Sequence, residues 1–400
     1  MNKILSLAVL FLLISTFVHA QENISLNFGG TKQKNYYTEV PYENVSDKLI
    51  IKVTYNGKQY RFLLDTGGPD IITKALFDEV KPVGLDPATL KRVPVSDAGG
   101  RSDSLSMVIL NGLAIGDVVF NEVPALVTND PFLFDCLDID GSIGSNMLRN
   151  SILHISSKDQ KIILTDQPEK LNLSGQTSSE LYVEQFQSLP IVDVKMLSNG
   201  GSGSIPMLFD TGASEFISIA LNQFLLIEPH GFFTVTGKAR GSSDIAAHGL
   251  EKDSTKYRLR VADVQVVGGS FKNVGMETSL NDGSSIGALL LNHGDVTVDY
   301  IHKKFYFNPY KPVADLLREP FPISVTLKEG KVIIGLVWDE GLKDKISVND
   351  QVLAIDDVDL SLISPCDFLL LKKLYKGGNQ ATVKVKRADG KVQTVVLNKK

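Results

Sequence analysis

The feature that most constrains this 400-residue chain is that it repeats itself. Shifted by about 145 residues, Leu49-Ile50-Ile51-Lys52-Val53, the turn Asn56-Gly57 and Phe62-Leu63-Leu64-Asp65-Thr66-Gly67 fall on a second series. That series is Leu189 to Val194, the flexible turn Asn199-Gly200-Gly201-Ser202-Gly203, and Met207-Leu208-Phe209-Asp210-Thr211-Gly212. Both copies go on through a Gly-containing polar stretch to a strand and a Gly turn before Phe: Leu113 to Phe120 and Val261 to Phe271. Each closes on matched signals, Asp140-Gly141-Ser142-Ile143-Gly144 and Asp282-Gly283-Ser284-Ser285-Ile286-Gly287, then a Leu-rich run and two strands. Those strands are Ile152 to Ile155 with Lys161 to Leu164, and Val296 to Val298 with Lys304 to Phe307. Short β-branched runs between close turn signals predict a mainly β fold of two pseudo-symmetric lobes, with helix confined to brief stretches after each Asp and each Ile-Gly.

The repeat sets the domain boundaries. Lys3, the apolar run Ile4 to Val18 and the small-residue end Val18-His19-Ala20 read as a signal peptide over 1–20, so export to a periplasm or to the outside is expected. That run is short for a bilayer span and no later segment offers one, so no membrane span is expected in the mature chain. The first lobe is placed at 21–170, with 21–46 either a propeptide or a strand segment. A Ser/Gly/Thr-rich stretch, Asn172 to Glu180, marks a linker over 171–187, and the second lobe occupies 188–312. From 319 to 400 the pattern is new: strands near Ile323 to Leu327, Val332 to Val337 and Gln351 to Ile355, a helical run Cys366 to Leu374, and a hairpin through Ala388-Asp389-Gly390.

Charge and cysteine content remove other classes. With 41 Lys plus Arg against 46 Asp plus Glu, a net charge of −5 and no basic stripe, nucleic acid is not an expected partner. Cys136 and Cys366 make no disulfide framework; they are either two thiols or one bridge. Asn23, Asn44 and Asn172 open N-x-S matches that matter only in a glycosylating pathway. The loop residues His230, His248, His293 and His302 form no i, i+4 ligand pair, so neither a metal nor a cofactor is expected. Ser214 has no matching His and Asp for a serine hydrolase.

What remains is a pair of acids. Splitting an amide without metal or covalent intermediate needs one group to take a proton from water and another to give one to the carbonyl oxygen, and two carboxyls sharing a proton do both. An apolar strand ending at Leu64 or Phe209 can deliver each carboxyl to a dry interface. Thr66 and Thr211 have hydroxyls to bond backbone across the pair, and Gly67 and Gly212 allow a tight turn aiming N–H groups at the acids. One Asp-Thr-Gly triplet is weak evidence of chemistry, since it also makes an ordinary Asx turn. Two copies are stronger: each follows three apolar residues, and Gly144 follows Asp65 by 79 residues as Gly287 follows Asp210 by 77.

Asp65-Thr66-Gly67 and Asp210-Thr211-Gly212-Ala213-Ser214, with Ile143-Gly144 and Ile286-Gly287, resemble the retropepsin and pepsin-like aspartic peptidases, above all exported bacterial ones with two lobes and a C-terminal PDZ domain in one chain. The resemblance implies catalysis by Asp65 and Asp210, support from Thr66, Gly67, Thr211, Gly212 and Ser214, and peptide or protein substrates bound extended between the lobes. It also implies a flap carrying Asp97-Ala98-Gly99-Gly100, a second near Gly241, and substrate contacts near Ile143, Gly144, Ile286 and Gly287. Gly68-Pro69 replaces the Ala213-Ser214 pattern in the first copy, and Ser142 and Ser285 stand where the family is usually apolar. Gly341-Leu342 and Asn349-Asp350-Gln351-Val352-Leu353-Ala354-Ile355 resemble a PDZ domain, which implies a peptide ligand added as a strand; Pro322, in the corresponding loop, has no N–H for a carboxylate. The reading from another class is an exported peptide receptor without catalysis.

Overall fold

The computed structural model describes residues 25–82, 90–97, 99–130, 132–198, 201–246, 249–371, 374–375 and 377–400. The leader expected over 1–20, and Asn23, Ala98, Asn199-Gly200 and His248, lie outside them. The chain is mainly β, in barrel-like sheets.

In the first half, Tyr37–Val45, Lys48–Tyr55 and Lys58–Asp65 form an antiparallel meander whose registers pair Val45 with Lys48 and Ile51 with Phe62. Alternation decides which face is inside: Tyr60, Phe62 and Leu64 point into the core, and the residues between them face outward. Gly141–Gly144 then runs parallel to Lys58–Asp65, placing Gly144 beside Asp65, and antiparallel to Ile71–Thr73. The helix Lys74–Val80 starts where Thr73 Oγ1 accepts the Leu76 N–H and stops at Lys81, which adopts φ 40°.

The second half repeats this plan. Pro190–Ser198 and Gly201–Asp210 are antiparallel, Ser285–Gly287 lies parallel to Gly201–Asp210 with Gly287 beside Asp210, and Ile217–Ala220 pairs antiparallel with Ser285–Gly287. The halves join through Ile152–Ser156 and Gly294–Asp299, antiparallel from Ile152 with Asp299 to Ile155 with Val296. One hydrophobic cluster therefore runs through both, from Leu64 and Ile143 to Phe209, Ile286, Val298 and Phe305.

Within the stretch expected to be a structureless linker, Ser178–Val183 is a strand wedged between Pro190–Ser198 and Lys304–Pro309. Its hydroxyl-rich sequence hides it, because Leu181 is its one fully inward side chain. The segment 21–46 likewise contains Tyr37–Val45, which pairs with Lys161–Thr165 as well as with Lys48–Tyr55.

The C-terminal sheet orders Ile323–Lys328, Lys331–Val337, Gln351–Ile355, Gln380–Lys386 and Val392–Asn398 around a separate core that includes Ile334, Val352, Val383 and Leu397. The helix expected over Cys366 to Leu374 is shorter, Pro365–Leu369, capped by Ser364 and closed at Leu370. Cys136 and Cys366 are bonded to each other across 230 residues, which settles the two alternatives in favour of one bridge and ties helix Phe132–Leu137 to helix Pro365–Leu369. Among the described residues no helix is long and apolar enough to cross a membrane.

Candidate active site

Both Asp-Thr-Gly turns emerge from apolar strands at the same place, face to face. Thr66 Oγ1 donates to the Phe209 carbonyl at 2.6 Å and accepts the Thr211 N–H at 3.1 Å. Thr211 Oγ1 donates to the Leu64 carbonyl at 2.7 Å and accepts the Thr66 N–H at 3.0 Å. Both threonines are fully buried, so these four reciprocal bonds fix one turn against the other without competition from water.

The grip brings the carboxyls together. Asp65 and Asp210 are neighbours, each acting on the other's hold on its proton. A Cβ on Gly67 would stand 2.2 Å from Asp210 Cγ, and one on Gly212 would stand 2.4 Å from Asp65 Oδ1, so glycine is required at both positions by close approach. Gly67 N–H donates to Asp65 Oδ1 at 3.0 Å; Gly212 and Ala213 N–H donate to Asp210 Oδ1 at 2.8 and 3.2 Å. Burial raises Asp65, opposed first by the charge of Lys48 and then by the Gly67 N–H. Burial, and then the neighbouring Asp65, push Asp210 up to about 7. The pair thus keeps one shared proton to higher pH than separate aspartates would.

Ile143 and Ile286 are 0% exposed and brace the turns from behind rather than line a groove. Gly144 and Gly287 have no room for a side chain: a Cβ would meet the Gly68 carbonyl at 2.4 Å in one half and the Glu215 carbonyl at 2.2 Å in the other. Behind the first turn, Gly144 N–H donates to Asp70 Oδ1 at 2.8 Å, and Asp70 N–H donates to Asn146 Oδ1 at 2.9 Å. Ser145 Oγ donates to the Thr66 carbonyl at 2.7 Å and lies 2.9 Å from Tyr300 Oη of the second half. Behind the second turn, Gly287 N–H donates to the Phe216 carbonyl at 3.1 Å and Ala288 N–H to the Ala213 carbonyl at 2.8 Å. Ser214, a supporting residue by resemblance, makes no hydrogen bond through its hydroxyl among the described residues.

The hairpin Arg92–Ser96 with Ser102–Leu110 ends in a tip where Asp97 Oδ1 accepts the Gly99 and Arg101 N–H groups. Its counterpart is the hairpin Thr234–Gly241 with Ser254–Val266. The two tips touch: Lys252 N–H donates to the Gly99 carbonyl at 3.2 Å, Arg101 Nε to the Leu250 carbonyl at 2.7 Å, and Gly100 lies against Leu280. The second tip is organised by a buried ion pair, Glu251 with Lys256 at 2.8 Å, in which Glu251 also accepts the Ser243 and Asp244 N–H groups. It stands on the C-terminal sheet, where Ser242 N–H donates to the Gly335 carbonyl at 3.3 Å and Arg258 lies 4.2 Å over the Trp338 ring.

Lys48, Asp70, Ser145, Tyr300 and the Glu251–Lys256 pair were not found by sequence reasoning. Only Asp70, an acid five residues beyond an Asp-Thr-Gly aspartate, and Ser145, directly after Ile-Gly, stood near a readable motif. Among the described residues no group of three His, Cys, Asp or Glu is placed to hold a metal ion.

Residues 51–147 match a family described as Aspartyl protease; the match contains Asp65 and Ile143-Gly144 and ends before the second copy. A comparison with curated proteins finds no match. Among solved structures the chain is similar to a retropepsin-like aspartic protease from Rickettsia conorii, at 24% identity and a TM-score of 0.24, over 32% of this chain and 90% of that one.

Proposed function

We propose that the chain is an aspartic endopeptidase of two lobes, in which Asp65 and Asp210 activate one water between them. The observation that carries this is the reciprocal threonine grip, which holds the two half-buried acids so close that each turn's glycine packs against the other turn's carboxyl. In the singly protonated pair, the ionised carboxyl takes a proton from water as its oxygen adds to the peptide carbonyl, and the protonated one gives its proton to the carbonyl oxygen. The gem-diol then collapses: the C–N bond breaks, the nitrogen takes a proton from the acid that received one from water, and the diol proton returns to the other acid. The pair ends as it began, so no metal or cofactor is needed for balance. The touching hairpin tips act as flaps over an extended peptide, with Gly99 and Gly100 at the first.

The C-terminal sheet is read as a PDZ-like module that takes a peptide strand, and the leader at 1–20 as the export signal of a periplasmic or secreted protein. A diverse peptide pool incubated at mildly acidic to neutral pH, with and without a statine-type inhibitor, tests the activity. Inhibitor-sensitive products are expected. Tight peptide binding with no products at any pH would instead establish the catalytically silent receptor.

A further inference from the structure

The scheme above leaves one cation beside the acids without a task. Lys48 opens the strand Lys48–Tyr55, directly after a two-residue hairpin turn in which Ser46 and Asp47 take φ of 50° and 63°. Positive φ at both central residues is the twist such a hairpin requires, and Asn44 Oδ1 secures it by accepting the Asp47 N–H at 3.0 Å. The turn sends the half-buried Lys48 side chain out of its own half, and its ammonium donates to the carbonyl of Gly212 in the opposite Asp turn. Gly212 is also the residue whose N–H holds Asp210 and where a Cβ would collide with the Asp65 carboxyl. The cation therefore sits one peptide group away from both carboxyls.

We propose that Lys48 is a positioning residue that locks the first hairpin turn onto the second Asp turn and sets the pH window of the acid pair by holding a fixed positive charge beside it. This rests on the peptidase reading. Lys48 is the largest influence opposing burial at Asp65, and at Asp210 it is the first to oppose burial and the Asp65 charge. Among the described residues the next charged group is Glu215 of the second turn, beside Asp210, and behind it Asp244 of the second tip is ion-paired with Lys256. A cation favours loss of each proton, so both macroscopic pKa values of the pair lie lower with Lys48 than without it. A pair active only when singly protonated must then shift its whole activity bell, not narrow it.

The test is a pair of titrations on the full chain with Lys48→Met, Lys48→Gln and Lys48→Arg. One follows cleavage of an internally quenched peptide library against pH. The other follows 13Cγ-labelled aspartate by NMR, with Asp65 and Asp210 assigned from their Asn variants, and needs no turnover. Lys48→Met and Lys48→Gln are expected to raise both limbs and both carboxyl transitions by about one pH unit, and Lys48→Arg to leave them in place. Lys48→Gln keeps a donor for the Gly212 carbonyl and serves where Lys48→Met does not fold. Carboxyl transitions that stay put in the neutral variants, or that move equally in Lys48→Arg, overturn the role of Lys48 while leaving the peptidase intact. Shifted transitions with no cleavage in any protein, wild type included, sink the peptidase reading alone.

Discussion

The two Asp turns reach the same geometry by different chemistry. In the first, the Gly144 N–H is received by the side chain of a buried acid, Asp70, itself tied to Asn146. In the second, the corresponding Gly287 N–H goes to a backbone carbonyl, that of Phe216, and the residue at the Asp70 position is Glu215, at the surface. Gly68-Pro69 in the first turn therefore does not leave it slack; the support has moved one residue on, to Asp70. A duplicated site can keep its centre fixed and exchange its braces, because only the threonine grip and the two glycines are constrained from both sides at once.

The strongest way to break the equivalence is to remove each acid in turn. Asp65→Asn and Asp210→Asn should each lower peptide turnover by about 10³-fold or more while circular dichroism and thermal unfolding stay near wild type. Comparable losses keep the two as partners sharing one proton. Retention of activity in either variant would falsify the shared-proton scheme.

Next in size is the grip itself. Thr66→Val and Thr211→Val each leave a buried carbonyl and a buried N–H unpaired, and each should cost about 2–4 kcal/mol of unfolding free energy. Because the two hydroxyls complete one network, the double variant should cost less than the sum of the singles. Additive losses in denaturant titrations would mean that the turns are held independently.

Asp70 then separates the halves by pH. Burial pushes its carboxyl up to about 8, while the Gly144 N–H, Asn146 and Arg149 work against that rise. One oxygen, Oδ2, is buried without a partner, which suits a protonated acid. A carboxyl raised in the fold favours the fold most below its unfolded value near pH ~4, and that contribution is lost as pH rises through about 8. Asp70→Asn keeps an oxygen for Gly144 and cannot ionise, so relative to wild type it should gain stability between pH ~4 and ~8, on the order of 1–3 kcal/mol. Parallel stability curves for variant and wild type would show that Asp70 carries no such penalty.

How much of this could be read from residues alone follows the same division. The repeat, both acids, the threonines and the Ile-Gly elements were legible because each is a local pattern occurring twice. Lys48 was not: its turn, Ser46-Asp47, lacks the Gly that usually marks a two-residue hairpin, and its partner is 164 residues away. The bridge from Cys136 to Cys366 and the docking of Gly241 on Gly335 are likewise long-range contacts with no local signature. Ser178–Val183 was missed because it pairs on both edges yet turns only Leu181 fully inward, so backbone bonding rather than apolar alternation makes it a strand.

The smallest expected effect is also the one that most sharpens the contrast between the turns. Resemblance assigns Ser214 to the support of the second acid, but its hydroxyl bonds nothing among the described residues, and Asp210 Oδ1 is already served by the Gly212 and Ala213 N–H groups. Ser214 is half-exposed at the edge of a cavity of about 750 Å³ in the second half, where water can replace whatever a hydroxyl supplies. Ser214→Ala should therefore change turnover by less than about twofold and stability by less than about 0.5 kcal/mol, the range of a surface substitution. A loss of tenfold or more in kcat with KM unchanged would place the hydroxyl in the carboxyl network during reaction, and the second turn would then owe its hold to a side chain just as the first owes it to Asp70.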